Sequence, residues 1–219
     1  MTLRVGLKLS GQETTAEELR AVWRVADGAG FDHCWNFDHF AGLGAAWAEI
    51  EHTMLDLEFG TAGQRIARMD EALRMLKLLW SEERSDFEGR YYRLDGAIAN
   101  PKPVQRPHPP IWIGGSGERK TLRVVAEHAD AWNAPGGEPA EFARLSGVLD
   151  RHCDDVGRDP AQIRRTVQVG FRGDADDLLA KVESFRAVGV DDVIVTLFGG
   201  EAERHATEAA ELLPRLRSA

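Results

Sequence analysis

Cysteine is nearly absent: Cys34 and Cys153 are the two in 219 residues, and neither sits at metal-ligand spacing. A disulfide framework and a thiolate metal centre are both excluded, and a reduced cytoplasm is the expected compartment. No apolar run approaches the roughly 20 residues of a membrane-spanning helix. Residues 1–10 enter a strand pattern directly, so no secretion signal is expected. There is no Lys/Arg block, and the net charge is −9. Nucleic acid and anionic membranes are therefore poor partners. The chain also lacks a Gly-x-Gly-x-x-Gly fingerprint, a Walker loop and a Ser-His-Asp arrangement. Without the first of these a nicotinamide-binding domain is not expected, although reduced nicotinamide stays open as a co-substrate.

What is present is ordinary globular material, 43% apolar and 29% charged, enough for a packed core. No repeat and no linker divides the chain, so one domain over residues 1–219 is expected. A strand pattern at 4–9 leads to a helix at 16–29 that Thr15 can cap, with Leu19, Val22, Trp23 and Ala26 on one face. A second strand is expected at 31–37. Residues 41–63 read as an irregular loop. Ile66, Met69, Leu73, Leu76 and Trp80 then mark a helix over 64–80. Residues 87–94 suggest a hairpin, and the five prolines between 100 and 110 require extended chain.

From residue 111 the rhythm is regular. Strands are expected at 111–113, 131–133, 165–171 and 192–198, with helices at 118–128, 139–156, 174–188 and 201–216. Alternating strands and helices mean an α/β fold with a parallel sheet. About six strands are visible, whereas a complete eight-stranded α/β barrel takes about 250 residues.

One turn stands out. Ile111-Trp112-Ile113 runs into Gly114, Gly115, Ser116 and Gly117, with Ser116 as the expected N-cap of the next helix. A strand ending in glycines at a helix N-terminus can hold a phosphate through backbone N–H groups. It can equally be a tight turn with no ligand, and both readings stand. Glu49, Glu51 and His52 have ligand-type side chains without a metal-binding spacing and read as a polar loop. No metal is expected.

Several motifs recur in a particular order. They are Gly30-Phe31-Asp32, Asp38-His39-Phe40, Leu43-Gly44-Ala45-Ala46-Trp47-Ala48-Glu49 and Gln64-Arg65 through Leu79-Trp80. Then come Phe87-Glu88-Gly89-Arg90-Tyr91-Tyr92, Pro101-Lys102-Pro103, Pro109 to Gly115, and Ala129-Asp130-Ala131-Trp132-Asn133. In this order they resemble the bacterial luciferase-like monooxygenase family, most of all its flavin- and deazaflavin-dependent oxidoreductases. The chain departs from that pattern between Phe40 and Leu43. There the family carries nearly two more βα units, of about 30 residues each.

The resemblance implies a TIM-barrel-like, luciferase-like α/β fold with parallel strands, outer helices and an incomplete barrel of about six strands. It implies oxidoreductase or monooxygenase chemistry on a small organic substrate with coenzyme F420, or FMN as the alternative. Asp38-His39-Phe40 and the Gly-Gly-Ser-Gly turn favour the deazaflavin. His39 would line the cofactor pocket and move a proton, or else only hydrogen-bond loop backbone. Asp38, Gly44, Ala45 and Ala46 would approach the cofactor, and Gly114, Gly115, Ser116 and Gly117 would hold its phosphate. Arg119 would add charge there or sit on a solvated face. Trp47 would stack on a ring or else only pack, with packing the favoured reading, and Trp132 reads as core. The lost units would leave open sheet edges, so a homodimer is expected. The competing reading is a truncated, catalytically silent relative that binds a flavin-like ligand or only self-associates.

Overall fold

A computed structural model describes residues 2–9, 14–36, 56, 58–198 and 200–218. Asp38, His39, Gly44, Ala45 and the expected break at 40–43 lie outside the described residues.

Six parallel strands form one curled sheet, a half-barrel. They are β1 (Arg4–Leu9), β2 (His33–Trp35), β5 (Trp112–Gly114), β6 (Ala131–Ala134), β7 (Arg164–Phe171) and β8 (Asp192–Leu197). The order across the sheet is β2-β1-β8-β7-β6-β5. The helices are α1 (Ala16–Ala29), α2 (Ala62–Ser81), α3 (Thr121–His128), α4 (Pro139–Val156), α5 (Ala175–Arg186) and α6 (Ala202–Ser218). A separate antiparallel hairpin joins β3 (Ser85–Glu88) to β4 (Arg93–Ala97). β2 and β5 are the sheet's two ends, each hydrogen-bonded on one side among the described residues.

Alternation along the strands sorts the side chains into two environments. One face carries Val5, Leu7 and Leu9 of β1, Val167, Val169 and Phe171 of β7, and Val193, Val195 and Leu197 of β8, all buried. These join Val22, Phe142, Leu178, Phe185 and Leu213 of the helices in one core. That packing fixes the curvature. The other face, toward the barrel axis, carries Lys8, His33, Trp35, Trp112, Asn133, Gln168 and Asp192.

Local chemistry sets the element ends. Thr15 and Glu18 form a capping box at α1, with Thr15 Oγ1 accepting from the Glu18 N–H at 3.2 Å and Glu18 accepting from the Thr15 N–H at 2.7 Å. Gly30, at φ 77°, closes the same helix. β2 is shorter than the 31–37 expected, because the Phe31 N–H bonds the Ala26 carbonyl at 3.1 Å and so belongs to the helix stop. α2 begins before 64, because Thr61 caps it with Gln64. Ser116 does not cap α3. The Leu122 N–H reaches back to the Gly117 carbonyl at 3.0 Å, a wider span than an α-turn. Regular helix therefore starts at Thr121, after Lys120 at φ −120° with no side-chain cap. Residues 100–110 also depart from the straight extended reading. The chain bends through 104–109, where the Arg106 guanidinium bonds the Pro103 carbonyl.

Candidate functional site

The C-terminal ends of β1, β2, β5 and β6 surround a cavity of about 160 Å³. Its walls are the rings of Trp35 and Trp112, 4.9 Å apart at an interplanar angle of 61°. Since Trp35 stands on β2 and Trp112 on β5, this contact joins the two ends of the sheet across the barrel axis. Lys8, Asn36, Gly114, Asn133, Gln168 and Ile194 complete the lining. The Lys8 ammonium donates to Gln168 Oε1 at 2.9 Å. Burial pushes the Lys8 pKa below the ordinary lysine value, because the charged form loses water there.

Beneath the tryptophans lies a buried polar chain. The Trp35 indole N–H donates to His33 Nδ1 at 2.6 Å. The ring proton of His33 therefore sits on Nε2, which faces Asp192 Oδ1 at 2.8 Å. Asp192 is fully buried and also meets Arg4 Nε at 3.4 Å. This arrangement depends on Gly6. A Cβ there would stand 1.9 Å from His33 Cε1, so glycine alone leaves room for the imidazole against β1.

The glycine turn sits beside the cavity. Gly114 lines the cavity itself. Gly115, at φ 122°, turns the chain outward, and its carbonyl accepts the Trp132 indole N–H at 2.8 Å. Trp132 is fully buried and stacks on Phe142 at 5.4 Å, so its packing role is also what anchors the turn. Ser116, Gly117, Arg119, Lys120 and Thr121 then line a surface depression of about 490 Å³ with Ile66 of α2. The Ser116 and Gly117 N–H groups donate to no backbone carbonyl among the described residues. Glu118 is turned aside: Arg144 bonds it at 2.9 Å, and that guanidinium holds the Glu118 carboxyl below its usual range.

A larger cavity, about 890 Å³, lies at the opposite end of the strands, lined by Arg4, Arg164, Arg165 and Arg186 among others. There Arg165 is spent on fold-internal partners, Ser146 at 3.1 Å, the Ile163 carbonyl at 2.7 Å and Asp150 at 2.6 Å. Ligands of α/β barrels bind at the strands' C-terminal ends, and this end reads as stability. A second polar cluster, Asp70, Glu127 and His128, is an ion-paired lock between α2 and α3. Its carboxylates are held by Arg74 at 2.9 Å and Arg123 at 2.6 Å.

Of the residues singled out in the sequence, Gly114, Gly115, Ser116 and Gly117 form one continuous edge from cavity to depression. Asn133 joins them. Lys8, His33, Trp35, Trp112 and Gln168 were not marked as site residues. Their signal is the period-two alternation in Gly6-x-Lys8, His33-x-Trp35 and Thr166-x-Gln168, which puts polar and aromatic groups on the face opposite the apolar one.

A parallel α/β half-barrel with a cavity at the strands' C-terminal ends is part of the α/β-barrel architecture. The luciferase-like monooxygenase family model matches residues 40–215, and the chain belongs to that family. The FMNH2-dependent dimethylsulfone monooxygenase of Pseudomonas putida is 26% identical over 184 residues, 81% of this chain and 45% of that protein. The F420-dependent glucose-6-phosphate dehydrogenase of Kineococcus radiotolerans is 31% identical over 137 residues, 62% of this chain and 40% of that protein. The chain thus spans less than half the length of these relatives. In fold it matches an F420-dependent secondary alcohol dehydrogenase in complex with an F420-acetone adduct, at TM-score 0.80 and 14% identity, over 99% of this chain and 100% of that one. It also matches the coenzyme F420-dependent tetrahydromethanopterin reductase of Methanopyrus kandleri, at TM-score 0.82 and 12% identity, over the same shares. Among the described residues no helix is long and apolar enough to cross a membrane.

Proposed function

We propose that the chain is an oxidoreductase of the luciferase-like type that binds coenzyme F420, with FMN as the alternative, and acts on a small organic substrate. The observation that carries this reading is the continuity of the Gly114–Gly117 edge. One side of it faces a tryptophan-walled cavity. The other offers the Ser116 and Gly117 amides beside Arg119 and Lys120. Backbone donors in a glycine turn, with two cations next to them, suit a phosphate tail. The cofactor, when bound, supplies the hydride or oxygen chemistry. The protein's part is positional. Gly115 to Lys120 would hold the anionic tail, and the Trp35 and Trp112 rings would exclude water from the reacting face. His39, through the family resemblance, would hold or move the proton.

Both cofactor types occur among the relatives, and the resemblance of Asp38-His39-Phe40 and the Gly-Gly-Ser-Gly turn favours the deazaflavin. Titration of the purified chain with each cofactor, followed by absorbance and fluorescence, tests the reading. Saturable micromolar binding of one of them is expected, weakened about tenfold when Arg119 and Lys120 are both changed to Ala, as for loss of a charge-assisted contact. No binding of either at high micromolar concentration would sink it.

The second reading is a catalytically silent relative that self-associates. It is favoured by the sheet's two ends, each paired on one side among the described residues, since open edges invite strand pairing with another copy. A homodimer by light scattering together with failure to bind cofactor would select it.

A further inference from the structure

The Trp35 wall of the cavity is held from below, from a strand that β2 does not touch. His33 of β2 pairs in register with Gly6 of β1, and Asp192 of β8 pairs with Arg4 two residues earlier on β1. The imidazole therefore crosses β1 over Gly6 and links β2 to β8. Its two nitrogens have different partners. Nε2 meets Asp192 Oδ1 at 2.8 Å, and Nδ1 accepts the Trp35 indole N–H at 2.6 Å. Among the described residues the indole N–H has no other acceptor.

The far oxygen of Asp192 completes the arrangement. Oδ2 is buried and accepts no hydrogen bond among the described residues. It faces Arg4 Nε at 3.4 Å and Arg164 Nη1 at 3.9 Å. Positive charge thus lies on one side of the carboxyl group and the imidazole on the other. A carboxylate only accepts, so the ring proton is drawn to Nε2 and the lone pair is left on Nδ1 for Trp35.

We infer that Asp192 is a positioning residue for the cavity: by fixing the His33 tautomer it holds the Trp35 ring against Trp112 as a standing wall. This role rests on reading the barrel mouth as the ligand site, and deepens that reading by naming what keeps the mouth in shape. With the proton on Nδ1 instead, a donor would face a donor. The indole would turn to another acceptor, and its 4.9 Å contact with Trp112 would be lost.

Asp192→Asn tests this with little change of shape. The two guanidinium groups should attract the amide oxygen and leave the NH2 toward His33, which selects the wrong tautomer, as in Ser-His-Asp triads. Nuclear magnetic resonance of the 15N-labelled chain without cofactor, in mildly alkaline buffer, reads the outcome. In the wild type, ring 15N shifts should report the Nε2–H form of His33. A scalar coupling should join Trp35 Nε1 to His33 Nδ1 across their hydrogen bond, and Overhauser contacts should join Trp35 to Trp112. Asp192→Asn should invert the tautomer and abolish the coupling and the contacts. In a Trp35→Phe background, which has no indole N–H, adding Asp192→Asn should leave the ring contact with Trp112 as it was, whereas a role in packing alone would disturb it in both backgrounds. An Nδ1–H form or no coupling in the wild type overturns the assignment even if the variant fails to fold. So does a folded Asp192→Asn that keeps the Trp35–Trp112 contacts. Where the wild type binds cofactor, Asp192→Asn should bind it about tenfold more weakly, and equal affinity after tautomer inversion would also overturn the role. A wild type that binds no cofactor sinks the proposed function, while the resonance data still decide the position of Trp35.

Discussion

Substituting Gly6 by alanine puts a methyl group where the His33 ring now lies. The added Cβ would stand 1.9 Å from His33 Cε1 and 2.0 Å from Nδ1, far inside van der Waals contact. The imidazole cannot simply slide. Trp35 lies 5.7 Å away on an edge contact, Trp112 lies 5.3 Å away on another, and Asp192 holds Nε2 at 2.8 Å. Ejecting the ring leaves the Asp192 carboxylate, fully buried, without its imidazole donor. That costs roughly 1–3 kcal/mol, and the broken aromatic contacts cost about 0.5–1.5 kcal/mol more. The expected destabilisation is about 2–4 kcal/mol, which at this chain length lowers the thermal midpoint by roughly 5–15 °C. Circular dichroism melting of Gly6→Ala against the wild type measures it. Adding His33→Ala to Gly6→Ala should cost less than the two single changes together, because the methyl then has space. A Gly6→Ala protein that melts with the wild type would refute the packing described for the barrel interior.

Three further outcomes follow from the same structure. Gly28→Ala, inside α1 with nothing within 4 Å of the new Cβ, should stabilise by about 0.5–1 kcal/mol in the same melting experiment. Trp132→Phe removes the 2.8 Å bond to the Gly115 carbonyl and should cost about 1–2 kcal/mol of stability, with cofactor titration showing severalfold weaker binding as the glycine turn loosens. Burial pulls the Asp32 pKa upward, but the Val5 N–H and Arg217 outweigh it and hold the carboxyl below its ordinary value. Its stabilising contribution is thus present above the unfolded-state pKa of about 3.9 and is lost as pH falls through the lower folded value. Asp32→Asn should be less stable than wild type at neutral pH in urea titrations, and the gap should close in acid.

The order of elements was legible because local periodicity reports it directly. Strand alternation at 165–171 and the three- and four-residue spacing of Ile66, Met69 and Leu73 lie within β7 (Arg164–Phe171) and α2 (Ala62–Ser81). Element ends were less legible where a bond reaches outside the local pattern. Ser116 has the chemistry of a cap, yet the bond from the Leu122 N–H to the Gly117 carbonyl at 3.0 Å delays α3 to Thr121. The Gly-Gly-Ser-Gly turn was visible because glycines ahead of a helical pattern leave a mark in composition. The barrel interior left almost none. Asp192 begins an apolar run that reads as a wholly buried strand, and Lys8 looks like a solvated lysine between leucines.

Local sequence patterns were enough to establish that strands and helices alternate, that the sheet is parallel, and that glycines stand where β5 ends. Those properties come from contacts between residues near one another in the chain. The convergence of Lys8, His33, Trp35, Trp112, Asn133 and Gln168 on one axis emerges with the folded sheet alone. Curling a parallel sheet brings together side chains from strands more than a hundred residues apart, as Lys8 and Gln168 are, and no local pattern encodes that distance.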